Sequence, residues 1–175
     1  MTPKEKGLLN RRISGMAPFI EILSNFSKFH RASEDIVIFE IGVRRGVSTR
    51  ALLRGLTERF YGGHLYSVDI KEGYSKMVTD EKQKQLWTFI CGDSRTIDWD
   101  KEIDILFIDG DHQYKVVKAD YEKYEPLVKK GGYIIMHDVL IHARHFGVDK
   151  LWEEIKYPKI RYNFNVCGLG VIEKI

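Results

Sequence analysis

Cysteine is scarce in this chain of 175 residues. Cys91 and Cys167 stand far apart, each inside an apolar run. No Cys-x-x-Cys pair offers the ligand spacing of a structural zinc site. Two thiols so separated read as buried side chains in a reducing compartment. Long apolar runs are lacking too. No stretch nears the ~20 apolar residues of a membrane-spanning helix, and the opening Met-Thr-Pro-Lys-Glu-Lys has no apolar core of signal-peptide type. The expectation is a cytoplasmic protein with no membrane partner. Nor does charge of one sign accumulate: the net charge is +3, and apart from Arg11-Arg12 and Lys129-Lys130 the basic residues are scattered. That excludes a basic footprint for nucleic acid. Internal repeats, low-complexity segments and Pro/Gly/Ser-rich linkers are missing as well. With 43% hydrophobic and 30% charged residues, the composition is that of one globular domain able to bury a substantial core.

The most informative segment is Ile36-Val-Ile-Phe-Glu-Ile-Gly-Val-Arg-Arg-Gly-Val-Ser48. A continuous apolar run reads as a buried parallel strand. It carries an acid, Glu40, and is followed by Gly42 and Gly46, where the backbone can approach a ligand without a Cβ in the way. Ser48 then opens a helix-like stretch. A phosphate-binding P-loop needs Gly-Lys-Ser/Thr, which is absent here. A dinucleotide fold wants Gly-x-Gly-x-x-Gly, whereas this turn is Glu-x-Gly-x-x-x-Gly. The turn resembles the first motif of class I S-adenosylmethionine-dependent methyltransferases. An ordinary tight strand-to-helix turn is the plainer reading of the same residues.

Residues 5–32 show helical spacing (Leu8, Leu9, Ile13, Met16, Phe19, Ile20, Leu23, Phe26), broken at Gly15 and Pro18. They form an N-terminal helical unit, 1–34, which is either a cap on the sheet or a lid over the glycine turn. The remainder, 35–175, alternates strands and helices. Strands are expected at 36–41, 64–70, 86–91, 103–108 and 133–136, with helices at 48–60, 76–85 and 113–130. Ser48 is a candidate N-cap, Gly62-Gly63 and Gly131-Gly132 candidate helix stops. Such alternation makes a parallel sheet with helices on both faces. After a helix at 147–156, strands at 159–164 and 166–173 lie too close for a crossover and must pair antiparallel. The fold class is α/β, five parallel strands plus a C-terminal antiparallel hairpin, and that arrangement resembles the seven-stranded class I methyltransferase sheet.

In open α/β sheets ligands sit beyond the carboxyl ends of the strands. Here those ends carry Glu40, Asp69, Asp93, Asp109, Asp111, His112, His137 and Asp138. Asp69 and Asp93 each stand where they would also cap a following helix. Phe107-Ile-Asp-Gly-Asp-His-Gln-Tyr114 followed by Gly131-Gly-Tyr-Ile-Ile-Met-His-Asp138 is similar to methyltransferase family 24 and the cephalosporin hydroxylase-like sequences, over about residues 35–175. The resemblance implies S-adenosylmethionine as cofactor. Asp69 would receive the ribose hydroxyls and Asp93 the adenine amino group, while Gly42 and Gly46 would let the methionine portion lie on the turn. Glu40, Ser48 and Asp109 complete the cofactor set. Catechol-type O-methyltransferases, more loosely similar, imply a divalent metal at Asp109, His137 and Asp138. His137 replaces a carboxylate there, and imidazole suits transition ions better than magnesium. The three residues could equally tie the loops together. His112 falls where those enzymes place a catalytic lysine, so the resemblance marks it, with Asp109, as the catalytic pair: His112 a general base or a residue orienting the next helix.

The implied activity is methyl transfer to a small molecule, most simply O-methylation of a hydroxyl, by a chain compatible with a homo-oligomer. An NAD(P)-dependent oxidoreductase fits less well, because Gly42 and Asp69 are 27 residues apart rather than about 20, and the C-terminal hairpin is foreign to that fold. Amino-methyltransferases of nucleic acids carry Asn/Asp-Pro-Pro-Tyr/Phe where this chain has Asp-Gly-Asp-His. A non-catalytic nucleotide-binding module on the same fold would not need Asp109, His112 and Asp138 together. Residues 1–34, 71–85 and 139–147, where acceptor choice would lie, carry no diagnostic motif.

Overall fold

The computed structural model describes residues 15–31 and 34–175. Leu8, Leu9 and Ile13 of the expected N-terminal helix lie outside them. Seven strands form one sheet: β1 (Ile36–Ile41), β2 (Gly63–Asp69), β3 (Trp87–Cys91), β4 (Ile103–Ile108), β5 (Val128–His137), β6 (Lys159–Tyr162) and β7 (Leu169–Glu173). Their order is β3-β2-β1-β4-β5-β7-β6. The first five are parallel, and β7 runs antiparallel to both β5 and β6. The helices are α1 (Ile20–Phe29), α2 (Val47–Thr57), α3 (Glu81–Gln85), α4 (Tyr114–Tyr124) and α5 (Val148–Glu154).

Period-two alternation divides the core into two layers. Ile38, Ile105, Phe107 and Ile135 pack with Phe19, Leu23, Leu52 and Leu56 on the α1–α2 face. Phe39, Leu106, Ile108 and Met136 pack with Val117, Tyr124 and Trp152 on the α4–α5 face. Every residue of β4 is buried, as befits a central strand covered on both sides. α1 lies so close on α2 that a Cβ at Gly55 would meet the Lys28 nitrogen at 3.0 Å. Arg59 closes the C-terminal end of α1, donating to the carbonyls of Ser27 (2.8 Å), His30 (2.7 Å) and Arg31 (3.0 Å), the orphan acceptors of a helix end.

Register fixes where the site falls. Ile41 pairs with Val68 and with Ile108, Val68 with Ile90, and Ile108 with Met136. The residues that follow, Gly42, Asp69, Cys91, Asp109 and His137, therefore emerge in one row along the carboxyl edge. The strand order reverses between β1 and β4, which is the switch point where such sheets bind ligands.

Three expectations are corrected. The helix expected over 113–130 ends at Tyr124, because Pro126 has no N–H for the carbonyl four residues back and its ring crowds that carbonyl; Glu125–Leu127 is a 3₁₀ turn and β5 already begins at Val128. Gly131-Gly132 is thus a kink inside a strand, with Gly131 at φ +72°, and stops no helix. Cys91 is exposed, because β3 is an edge strand. No helix among the described residues is long and apolar enough to cross a membrane.

Candidate active site

A cavity of about 760 Å³ opens along the carboxyl edge, from the β3 end to the β5 end. Its floor is the turn Gly42–Gly46. Gly42 has φ +94° and Gly46 φ +64°; Gly46 caps α2 in the left-handed conformation, so Ser48 is the second residue of the helix and not its cap. Gly42 serves a purpose besides the one expected. A Cβ there would overlap the Asp109 carbonyl, 2.7 Å from its carbon. The glycine admits the backbone after β4, so the turn and the acid loop touch.

Glu40 lies behind the turn and does not reach the cavity. It is fully buried and accepts from Ser48 Oγ (2.6 Å), Thr49 Oγ1 (2.8 Å) and Ser67 Oγ (2.6 Å). The expectation that Glu40 meets a cofactor is corrected accordingly. Its position inside β1 points it into the layer under α2, where three hydroxyls satisfy it. Ser48 is committed to the same network and lines the cavity with what remains. Burial raises the Glu40 pKa to about 7, against the pull of the three donors. The sign of the consequence follows from linkage. The native state holds this proton more tightly than the unfolded chain. Stability from this group is therefore full below about 4.5 and is lost as pH rises to about 7, a change of about 3 kcal/mol. Urea midpoints measured from pH 5 to 8 are expected to fall more steeply for the native protein than for Glu40→Gln; equal slopes would refute the assignment.

Asp69 ends β2 and turns back to the glycine loop. Its Oδ2 accepts from the amides of Val43 (2.8 Å) and Arg44 (3.2 Å), and its Oδ1 from Lys71 N (3.2 Å). It lines the cavity while fixing the turn's shape, which holds Arg44 at φ +47°. Asp93, beyond β3, is clasped by Arg95 through Nε (2.9 Å) and Nη2 (2.6 Å). Hydrogen bonds from that side chain and from the Arg95 amide hold its pKa at about 2. Arg95 was not a residue that the strand-end pattern singled out.

At the other end of the cavity the structure gathers Asp109, His112, His137 and Asp138. His112 Nε2 stands 2.9 Å from Asp138 Oδ2 and 3.6 Å from Asp109 Oδ1. His137 Nδ1 is 3.2 Å from Asp109 Oδ1 and 3.3 Å from Asp138 Oδ2. Asp138 adopts φ +63°, a conformation that aspartate tolerates better than most residues. The Asp109 and Asp138 contacts outweigh burial and raise the His112 pKa to about 9. Burial pulls His137 down, but the same carboxylates and Cys167 overcome it and hold its pKa high. Burial would lift Asp138, yet the two imidazoles keep it below the usual carboxylate range. The two carboxylates thus favour the protonated form of His112, and it acts as a base only where its proton is displaced.

Despite its 2.9 Å approach to Asp138, His112 Nε2 has no aligned hydrogen-bond acceptor, and Asp138 Oδ1 is buried without any partner. Close, misaligned donors facing one another suit ligands to a shared ion better than a hydrogen-bonded pair. One ligand atom each from Asp109, His112 and Asp138 lies within 4.8 Å of the others; His137, Asp138 and Cys167 form an adjoining trio of the same span. The sequence assigned His137 to the metal set and His112 to the base. The geometry lets either ring close the triangle on Asp138. Phe146 stacks on His112 at 4.7 Å and 14°, and Phe19 meets His137 edge-on at 6.0 Å.

Comparison with known proteins gives the frame. Residues 39–139 match the family model described as a methyltransferase domain. An O-methyltransferase from Bacillus cereus, solved in complex with SAH, superposes with a TM-score of 0.64 at 19% identity, over 99% of this chain and 82% of that one. An rRNA methylase from Streptococcus thermophilus gives 0.65 at 13% identity, over 89% and 96%. At these identities the likeness establishes the fold. Among curated proteins, protein R132 of Acanthamoeba polyphaga mimivirus is 61% identical over 71 residues, and protein y4gI of Sinorhizobium fredii 34% identical over 74. The matched stretches span 32% and 8% of the lengths of those relatives.

Proposed function

This chain belongs to the methyltransferase domain family, and on that premise we propose that it is a class I S-adenosylmethionine-dependent methyltransferase that methylates a hydroxyl group of a small-molecule acceptor held beside Asp109, His112 and Asp138. The observation that carries the reading is the carboxylate–imidazole cluster at the inner end of the cavity, with His112 Nε2 and Asp138 Oδ1 buried and unaligned with any partner. A methyl acceptor of low acidity needs such a cluster. An amine or a carboxylate does not.

When bound, S-adenosylmethionine supplies a methyl group already activated for in-line displacement, so the protein's share is alignment and proton handling. The cavity's volume is ample for it. Asp69, Asp93 and Ser94 line the end suited to the adenosine, and the amides of the Gly42–Gly46 turn lie beside the place for the methionine. Asp109 and Asp138 balance the two imidazoles. A hydroxyl entering beside Asp109, which lines the cavity and is partly exposed, donates its hydrogen bond to that carboxylate, and Phe146 covers one face of the His112 ring. The donor set, two carboxylates and an imidazole, fits a divalent transition ion rather than magnesium. Such an ion, when bound, lowers the pKa of the acceptor hydroxyl. The size of the cavity and the scattered lysines and arginines favour a small molecule over nucleic acid, and a cytoplasmic setting belongs to the same reading.

The test is a panel of hydroxyl-bearing acceptors assayed with the chelated protein, then with manganese, zinc or magnesium restored. S-adenosylhomocysteine is expected to bind with a Kd in the micromolar range or below, roughly 8 kcal/mol or more. Chelation should abolish turnover, and manganese should restore it at least as well as magnesium. Full activity in chelator would remove the ion from the reading. Failure of S-adenosylhomocysteine to bind would remove the cofactor.

A further inference from the structure

The β3 end of the cavity contains a buried acid for which methyl transfer has no use. Asp120 projects from α4, is 1% exposed and lines the cavity beside Ser94. Ser94 Oγ donates to its Oδ1 at 2.6 Å. Burial lifts the Asp120 pKa to about 6, partly offset by the Ser94 donor. The same helix face also fixes the Ser94 main chain. Its carbonyl accepts from Lys123 Nζ at 3.0 Å and from Tyr124 Oη at 2.6 Å. Residues three and four apart on a helix share a face, and here Asp120, Lys123 and Tyr124 act together on one residue of the cavity wall.

A hydroxyl is ordinarily ambivalent, one donor and two acceptor positions that rotate to suit the partner. The Ser94 hydroxyl has lost that freedom. Its single proton is committed to Asp120, so only lone pairs remain for the cavity. We propose that Asp120 is a positioning residue for base selectivity: by taking the Ser94 proton it turns the Ser94 hydroxyl into a pure acceptor that reads the exocyclic amino group of adenine and rejects a 6-oxo purine. The inference rests on the placing of adenosine at this end of the cavity. A 6-oxo base would set its oxygen against the Ser94 lone pairs, and neither group could supply the missing proton. Leaving a buried polar group unpaired is what makes such discrimination strong.

The experiment titrates two probes by calorimetry, S-adenosylhomocysteine and its deaminated analogue S-inosylhomocysteine, into the native protein, Asp120→Asn and Ser94→Ala. The native protein should prefer the adenosyl probe by roughly ten- to hundred-fold. In Asp120→Asn the new amide can donate to Ser94 Oγ and free the hydroxyl proton, so the preference should narrow to within about three-fold, chiefly through tighter binding of the inosyl probe. Ser94→Ala keeps the carbonyl contacts and removes the hydroxyl; it should weaken the adenosyl probe alone and also flatten the ratio. A merely structural Asp120 would weaken both probes equally. An unchanged ratio in a folded Asp120→Asn or in Ser94→Ala overturns the proposal while leaving the cofactor reading intact. Failure of the native protein to bind S-adenosylhomocysteine overturns both.

Discussion

Asparagine at Asp109 should lower methyl transfer by about 10²–10⁴-fold, the usual contribution of a group that handles the proton, with S-adenosylhomocysteine affinity changed only a few-fold. Asp109 Oδ1 lies between the two imidazoles, 3.2 Å from His137 Nδ1 and 3.6 Å from His112 Nε2. Removing its charge leaves Asp138 alone to balance both rings and withdraws one of the three ligand groups that surround a shared centre. Asparagine keeps the shape and the main-chain contact from Asp109 N to the Ile41 carbonyl, 2.9 Å. Weakening a partly buried charge cluster also costs stability, so melting temperature is measured beside rate. Single-turnover assays at saturating cofactor separate the outcomes. A rate within three-fold of the native protein, on an acceptor that the native protein turns over, would assign the cluster to structure.

The parallel sheet was legible because its signal is local. β1 and β4 are apolar runs interrupted by one acid each, Glu40 and Asp104, and the apolar pattern bounds both at the residues where the structure bounds them. The C-terminal hairpin was legible for a geometric reason, since two strands so close in sequence cannot pair parallel. The helix after β4 is shorter than its apolar spacing suggests, because that spacing continues past Tyr124 while Pro126 withdraws a helical donor without disturbing the periodicity. Gly131-Gly132 looked like a helix stop for the same reason. Asp104, buried in β4, was overlooked entirely. It receives the Val37 amide at 2.8 Å and ion pairs from Arg31 (3.3 Å) and Lys129 (3.0 Å) at the opposite edge of the sheet, and nothing in its neighbours along the chain marks it.

The acids at the strand ends were identifiable as a group, because register and the switch point put them in one row. Their individual tasks were not. Glu40 and Asp69 differ by which way a side chain points: one inward to three hydroxyls, the other across to two amides. A one-residue change of face decides such matters, and sequence resolves only the run. Asp120 escaped notice because it lies mid-helix, where an acid reads as surface. Only the packing of α4 on the loop after β3 shows that it is buried. His112 is expected from the sequence to be a base or a residue orienting the next helix. Its 2.9 Å approach to Asp138, a residue 26 positions later in the chain, is visible only in the fold.

Alanine at Gly42 should remove much of the stability of the native protein, and this test falls on the joint between the two halves of the site. Two effects add. The residue sits at φ +94°, where a side chain costs about 1–2 kcal/mol. Its Cβ would also stand 2.7 Å from the Asp109 carbonyl carbon and 3.0 Å from Gly110 N. Those are backbone atoms, tied into the sheet by Gly42 N to the Val68 carbonyl (2.9 Å) and by Asp109 N to the Ile41 carbonyl (2.9 Å). Neither loop can yield without breaking the register of β1 against β2 or β4, so the total should exceed about 4 kcal/mol, the range reserved for overpacking combined with backbone strain. Gly73 supplies the control. No atom lies within 4 Å of a Cβ built there, and alanine at that position should change stability by no more than about 0.5 kcal/mol. Urea unfolding of both variants, followed by titration with S-adenosylhomocysteine, gives the comparison. The close approach of Gly42 to Asp109 would lose its structural meaning if Gly42→Ala unfolded within about 1 kcal/mol of the native protein. A folded Gly42→Ala that binds the cofactor product but no longer transfers methyl would show instead that the loop after β4 moves and carries Asp109 out of place.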